Sequence, residues 1–217
     1  MKAVILAAGV SRRLYPMTYE MPKCLIEVGE KPILDHQLIA LQSADVNDIV
    51  LVVGYYREAI INHVQTNFPD MNIEYVINHH YFETNTAYSL ELCKDAINNQ
   101  SFILMNADVL YPKEVLNRVI HANHGTSLAV EIKSCGREEV KVIEGDGNRL
   151  VAIGKELIED NALGEFIGVA KFSAKFSTAF GDSLNRLISA GGTADYFEVA
   201  IHPLMSEYPV YYEDVSD

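Results

Sequence analysis

Short, unbroken apolar runs alternate through the first half of the chain with stretches whose apolar positions recur at helical spacing. The runs are "KAVILA" (2–7), "NDIVLVVG" (47–54), "NIEYVIN" (72–78) and "SFILMNADV" (101–109). Continuous Val/Ile/Leu content of this kind predicts strands buried on both faces rather than strands with one wet side. Between them, "PILDHQLIALQSA" (32–44), "REAIINHVQTNF" (57–68) and "NTAYSLELCKDAI" (85–97) predict helices. Strand and helix in regular alternation form the βαβ pattern of a doubly wound sheet with helices on both faces.

The pattern changes after residue 110. "TSLAVEIK" (126–133), "EVKVIE" (139–144), "RLVAIGK" (149–155) and "FIGVAKFS" (166–173) predict strands at short spacing. "EGDGN" (144–148) reads as a tight hairpin turn, because Asp-Gly supplies the backbone freedom such a turn requires. Helices are expected over 174–190 and 194–206, and a last strand over 209–214. No repeat, linker or low-complexity tract divides the chain. The expectation is one α/β domain spanning 1–217, a Rossmann-like three-layer sandwich with a mixed, mostly parallel sheet and a hairpin-rich C-terminal half.

Composition refines this picture in three respects. No run approaches the roughly 20 apolar residues of a membrane helix, and no secretory-type apolar segment opens the chain, so a soluble cytoplasmic protein is expected. Cys24, Cys93 and Cys135 are far apart and odd in number, which fits a reducing compartment rather than a disulfide framework. A formal net charge of −13 argues against general nucleic-acid binding, since phosphate backbones are held by broad basic surfaces. An anionic small molecule needs a local basic site or a divalent cation instead.

Such a site follows the first strand, in "LAAGVSRRLYPMTYEMPKCL" (6–25). Ala7, Ala8 and Gly9 carry little side-chain bulk, so backbone N–H groups there can face an anion or a planar base. Ligands of open α/β sheets collect at the carboxyl ends of the strands, where this turn lies. Arg12, Arg13 and Lys23 can supply charge-assisted hydrogen bonds to phosphate oxygens. The alternative is a surface loop with solvated basic residues. Asp108 ends a buried strand at the same edge, and a carboxylate there suits Mg²⁺, which takes few protein oxygens and shares the rest with phosphate and water. A turn or helix-capping aspartate before Pro112 is the other reading.

"LAAGVSRRL" followed by "PKCL" resembles the signature of the nucleotidyltransferases that make NDP-sugars and CDP-alcohols, with Ser11 where that family usually carries glycine. The resemblance implies a magnesium-dependent enzyme that joins a nucleoside monophosphate from an NTP to a phosphorylated acceptor and releases pyrophosphate. It implies that Arg13, rather than Arg12, and Lys23 are the catalytic cations. Leu6, Ala7, Ala8 and Gly9 line the nucleotide, and Asp108 lies beside it as a metal ligand. Residues 1–110 would then be the nucleotide-binding half and 111–217 the acceptor-binding half. The family's second metal aspartate is expected near the C-terminus, at Asp214 or Asp217, or beyond residue 217.

Within the family, "ETNTAYSL" (83–90), "EEVKVI" (138–143), "IGK" (153–155) and "GEFIGVAKFS" (164–173) are closer to cytidylyltransferases of phospho-alcohols and phosphonates than to hexose-phosphate enzymes. That favours CTP as donor. Asn85, Tyr88 and Ser89 are candidates for reading a pyrimidine, although Asn85 or Thr86 can equally cap the next helix. Lys155 falls where the family's acceptor-phosphate lysine lies, with Lys141 a weaker candidate. Glu165 and Glu198 are candidates for an amine or hydroxyls of the acceptor, or are structural carboxylates. With no tryptophan, and only Tyr88, Phe166, Tyr196 and Phe197 offered as aromatic faces, phosphocholine is disfavoured. His79 and His80 are read as surface residues pointing apart on a strand. Competing readings are a hexose-1-phosphate enzyme using UTP, dTTP or GTP, a non-catalytic nucleotide-binding regulatory subunit, and a glycosyltransferase, which would carry a D-x-D pair. Oligomeric state, a homo-oligomer included, is left open.

Overall fold

A computed structural model describes residues 1–216. The expected first strand, β1 (Lys2–Ala7), lies at the centre of a parallel group with β4 (Asp48–Val53), β5 (Asn72–Ile77) and β6 (Phe102–Asn106). Alternation along β1 explains why the run is apolar throughout: Val4 and Leu6 pack into one core, and Ala3, Ile5 and Ala7 into another on the opposite face. The second core is covered by α1 (Ile33–Ser43), α2 (Arg57–Asn67) and α5 (Lys113–Ile120) through Leu34, Leu38, Ile60, Val64, Leu116 and Val119. The first is covered by α3 (Thr86–Glu91), α4 (Lys94–Ile97) and α6 (Ala174–Ser189) through Ala87, Leu90, Ile97, Phe176, Phe180 and Leu184. These are the three layers.

The sheet continues without a break into the second half. Its order is β5-β4-β1-β6-β10-β7-β11-β9-β8, where β7 is Ser127–Glu131, β8 Lys141–Glu144, β9 Arg149–Gly154, β10 Gly164–Phe172 and β11 Val210–Asp214. β10 runs antiparallel to β6 and β7, β11 is parallel to β7, and β8 and β9 form the expected hairpin. The start of β10 also pairs with β8, so the far edge curls back on the sheet. Gly168, at φ +80°, marks the bend in β10: a Cβ there would lie 2.5 Å from the Asn106 side-chain amide. A small ribbon, β2 (Glu27–Val28) with β3 (Lys31–Pro32), precedes α1. No helix among the described residues is long and apolar enough to cross a membrane.

Two expected helices are interrupted. Residues 85–97 divide into α3 and α4, because the turn tightens where the Cys93 N–H bonds the Leu90 carbonyl three residues back. Residues 194–206 keep one helical turn, α7 (Glu198–Ile201), followed by a 3₁₀ turn at His202–Leu204 that contains Pro203. The segment before α7 is spent on bracing α3: Thr193 and Asp195 carbonyls accept from Asn85 and Ala87 N–H, and the Phe197 N–H donates to Thr86 Oγ1. His79 and His80 are exposed as expected, but they lie in the turn after β5 rather than on a strand.

Candidate active site

The carboxyl ends of β1 and β6 open into a cleft of about 1020 Å³ that runs from the first turn to the N-terminus of α7. Leu6, Ala7, Ala8 and Gly9 all line it. Gly54 packs behind this turn so closely that a Cβ would fall 2.8 Å from the Ala8 carbonyl, which accepts from the Tyr55 N–H at 3.1 Å. Ser11 adopts the left-handed conformation, φ 54° and ψ 46°, the geometry that favours glycine at this point. Its carbonyl accepts from the buried Thr18 hydroxyl at 3.0 Å. Tyr55 and Tyr56 hydroxyls bond the carbonyls of Thr18 and Tyr19, fastening the rest of the loop to the sheet.

The basic residues differ in where they point. The Arg12 guanidinium stacks 4.2 Å from the centre of the Phe82 ring. Arg13 reaches across the cleft to Glu138, Nη1 to Oε2 3.2 Å. Lys23, in a 3₁₀ turn at Lys23–Leu25, pairs with Asp108 at 2.9 Å. Lys155, just after β9, lies 4.5 Å over the Tyr196 ring and 3.9 Å from the same oxygen of Glu138.

Asp108 is placed by backbone geometry. The Ala107 N–H bonds the Leu6 carbonyl, continuing the β1–β6 pairing one residue past the strand. The buried Gln37 side chain on α1 donates to the Asn106 and Val109 carbonyls at 2.9 and 2.8 Å, holding the turn on either side of Asp108. Its carboxylate is half exposed toward the cleft. Cys24 beneath it is a packed, inert thiol: burial pushes it up to about 12, opposed by a backbone hydrogen bond and reinforced by Asp108.

At the end beside α3, Asn85 and Ser89 both line the cleft. Asn85 also caps α3, accepting from the Thr86 N–H at 2.9 Å. Ser89 Oγ accepts from buried Asn78, whose amide also donates to Thr84 Oγ1 and whose carbonyl oxygen accepts from the His80 N–H. Asn78 and Tyr81, absent from the sequence-based site, complete this end. Tyr88 is placed elsewhere, edge-on to His80.

At the other end, Glu165 is held by Lys133 at 2.6 Å, and Lys133 is shared with Glu131 at 2.7 Å. Glu198 is 4% exposed, and among the described residues its Oε2 has no hydrogen-bond partner. Burial pushes its carboxyl up to about 7, against a backbone hydrogen bond and the nearby Lys155 that lower it. Phe166 and Phe197 are buried and packed edge to face, and Tyr88 lies outside the cleft, so of the four aromatic residues Tyr196 is the exposed one that lines it.

Besides Tyr88, two further candidates do not line the cleft. Lys141 is buried, with its ammonium spent on the Gly136 and Glu139 carbonyls at 2.8 and 3.3 Å, so it is a loop anchor and not an acceptor ligand. Asp214 is not brought to the cleft: its carboxylate accepts from the Ser216 backbone and hydroxyl, and its carbonyl accepts from Arg118. Asp217 lies outside the described residues. Among the described residues no group of three His, Cys, Asp or Glu side chains converges on one point, and Asp108 lines the cleft as the carboxylate at the end of β6.

Residues 2–144 match the family model described as nucleotidyl transferase. The chain is 29% identical over 204 residues to CTP:phosphoglutamine cytidylyltransferase of Campylobacter jejuni, covering 86% of this chain and 79% of that protein. It is 28% identical over 217 residues to choline-phosphate cytidylyltransferase of Streptococcus pneumoniae, covering 99% and 89%. Among solved structures, the inositol-1-phosphate CTP transferase from T. maritima superposes with a TM-score of 0.80 at 22% identity, over 98% of this chain and 84% of that one. The turn after β1, its two separated arginines and the Lys23–Asp108 pair all fall inside the matched residues, and the chain belongs to the nucleotidyl transferase family.

Proposed function

We propose that the protein transfers CMP from CTP to a phosphate or phosphonate oxygen of a small acceptor. The acceptor oxygen bonds the α-phosphorus as the bond to the β-phosphate bridging oxygen breaks, and pyrophosphate leaves. The observation that carries this reading is the convergence of Arg13, Lys23, Asp108 and Lys155 on one cleft, arranged from the first turn to the far half of the sheet. Phosphoryl-type transfer asks mainly for alignment and charge neutralisation, which three cations and a carboxylate supply without a protein nucleophile.

Residues 1–110 form the nucleotide half. The backbone of Ala8 and Gly9 faces the nucleotide over a floor made by Leu6 and Ala7, and Asn85 and Ser89 border the base. Arg13 holds the β- and γ-phosphates. Lys23 holds the α-phosphate as charge gathers on it in the transition state, exchanging Asp108 for phosphate oxygen. Asp108 fits Mg²⁺, since it is a half-exposed carboxylate beside the phosphate cations and Mg²⁺ takes one or two such ligands with phosphate and water. A bound Mg²⁺ supplies neutralisation of phosphate charge. Residues 111–217 form the acceptor half, where Lys155 holds the acceptor phosphate. Glu165, neutralised by Lys133, and Glu198, with a free carboxyl oxygen, border the rest of the acceptor. The names of the two cytidylyltransferase relatives support CTP as donor.

A pyrophosphate-release assay crossing four NTPs with phospho-alcohols, phosphonates and hexose 1-phosphates tests the reading. CTP with a phospho-alcohol or phosphonate is the expected pair. Turnover only with UTP, dTTP or GTP and a hexose 1-phosphate would replace it with the sugar reading. Nucleotide binding with no turnover under any pair would make the chain a regulatory subunit.

A further inference from the structure

Glu138 contacts two cations that the proposed reaction assigns to different substrates. Its Oε2 lies 3.2 Å from Arg13 Nη1 and 3.9 Å from Lys155 Nζ. Arg13 belongs to the turn after β1 and Lys155 follows β9, so one carboxylate joins the nucleotide and acceptor ends of the cleft. Resting on the reading of the site above, we propose that Glu138 is an internal anion occupying both phosphate-binding cations of the free enzyme. A triphosphate that displaces it from Arg13 then also releases Lys155 for the acceptor.

The loop that carries Glu138 is built to hold its ends and free its tip. Lys141 is buried and ties down the Gly136 and Glu139 carbonyls, the Gly136 N–H donates to Glu139 Oε2 at 2.9 Å, and the Val140 carbonyl accepts from the Phe166 N–H. Between these anchors the Glu138 side chain is 79% exposed, and its Arg13 partner is 80% exposed. A carboxylate offers these cations the same kind of charge-assisted hydrogen bond as a phosphate oxygen. Exposed pairs of this type contribute little and are screened by salt. That makes the contact displaceable by a triphosphate with several charges, and poorly suited to hold two halves of a fold together.

Coupling of this kind is reciprocal: whatever the nucleotide does to acceptor affinity, the acceptor does to nucleotide affinity. Repulsion between the two bound anions acts in the opposite sense, so the decisive quantity is the change between variants. Calorimetry on the full chain with magnesium, using α,β-methylene-CTP, which cannot release pyrophosphate, and methyl phosphate as a minimal acceptor, measures it. The variants are Glu138→Gln and, as a control for net charge, Glu156→Gln, an exposed residue outside the cleft. Glu138→Gln should bind the analogue about two- to fivefold more tightly. The ratio of its methyl phosphate affinities with and without the analogue should fall by a similar factor, while Glu156→Gln behaves as the wild type. Equal behaviour of the two variants, with wild-type binding of both ligands intact, overturns the role of Glu138 alone. Failure of the wild type to bind the analogue or methyl phosphate overturns the reading of the site beneath it.

Discussion

Lys23 Nζ lies 2.9 Å from Asp108 Oδ2, joining a 3₁₀ turn near the start of the chain to the turn that ends β6. The lysine and carboxylate are 28% and 49% exposed, so both face solvent and either can exchange its partner for an incoming ligand. In the proposed reaction each does so, the lysine toward phosphate and the aspartate toward a divalent cation.

A lysine whose charge matters most as the α-phosphate becomes more negative should show its loss in turnover. Lys23→Ala is expected to lower kcat by about 10²–10³-fold, with a change in nucleotide KM of less than about tenfold. Steady-state kinetics at saturating acceptor check this. A loss confined to KM would contradict a transition-state role.

Asp108→Asn removes the charge that would hold the cation while preserving size. Activity should fall by about 10²-fold or more and the magnesium concentration for half-maximal rate should rise. Chelation should abolish wild-type activity, with recovery on adding magnesium. Thermal stability should change little, because the turn is held by Gln37 through the Asn106 and Val109 carbonyls rather than by the carboxylate.

Glu198 makes stability depend on pH in a defined direction. Its carboxyl is raised from 4.5 to about 7 by burial, so the folded state binds a proton that the unfolded chain has released. Stability from this group is present below about 4.5 and is lost as pH rises through 7. Glu198→Gln should therefore gain relative to wild type between pH 4.5 and 8, by about 3 kcal/mol. Chemical denaturation of both proteins across that range reads the difference. A constant offset would place the titration elsewhere.

The parallel half of the fold was legible in the sequence because buried parallel strands leave unbroken apolar runs, and those runs match β1, β4, β5 and β6 to within three residues at every end. The helix α5 carries an equally plain mark, with Val115, Leu116, Val119 and Ile120 at helical spacing. Other features depend on register. Lys133 meets Glu165 only because β10 lies beside β7 with Glu165 opposite Glu131. Lys141 carries no sequence mark of burial, since lysine is rarely buried and its carbonyl partners are backbone. The broken segment at 194–206 reflects contacts with α3 made from more than 100 residues away. Arg12 and Arg13 are neighbours in sequence, and only the resemblance separated them; their partners, Phe82 and Glu138, are now distinct.

Ser11 departs from the glycine of the signature, and its backbone shows why glycine is usual there. A left-handed conformation costs an L-residue about 1–2 kcal/mol, and the Ser11 side chain makes no capping hydrogen bond in return. Ser11→Gly removes that strain but adds freedom to the unfolded chain worth roughly 0.4–1 kcal/mol in the other direction. The expected net effect is a stabilisation of between 0 and about 1.6 kcal/mol, with kcat/KM within about twofold of wild type. Ser11→Val should lose more than about 2 kcal/mol, because a β-branched side chain is a true outlier at this φ, and should displace the turn that carries Arg13. Thermal unfolding and kcat/KM of the two variants distinguish a conformational role from a chemical one. A tenfold or greater loss of kcat/KM in Ser11→Gly, at unchanged stability, would mean that the hydroxyl itself reaches the substrate.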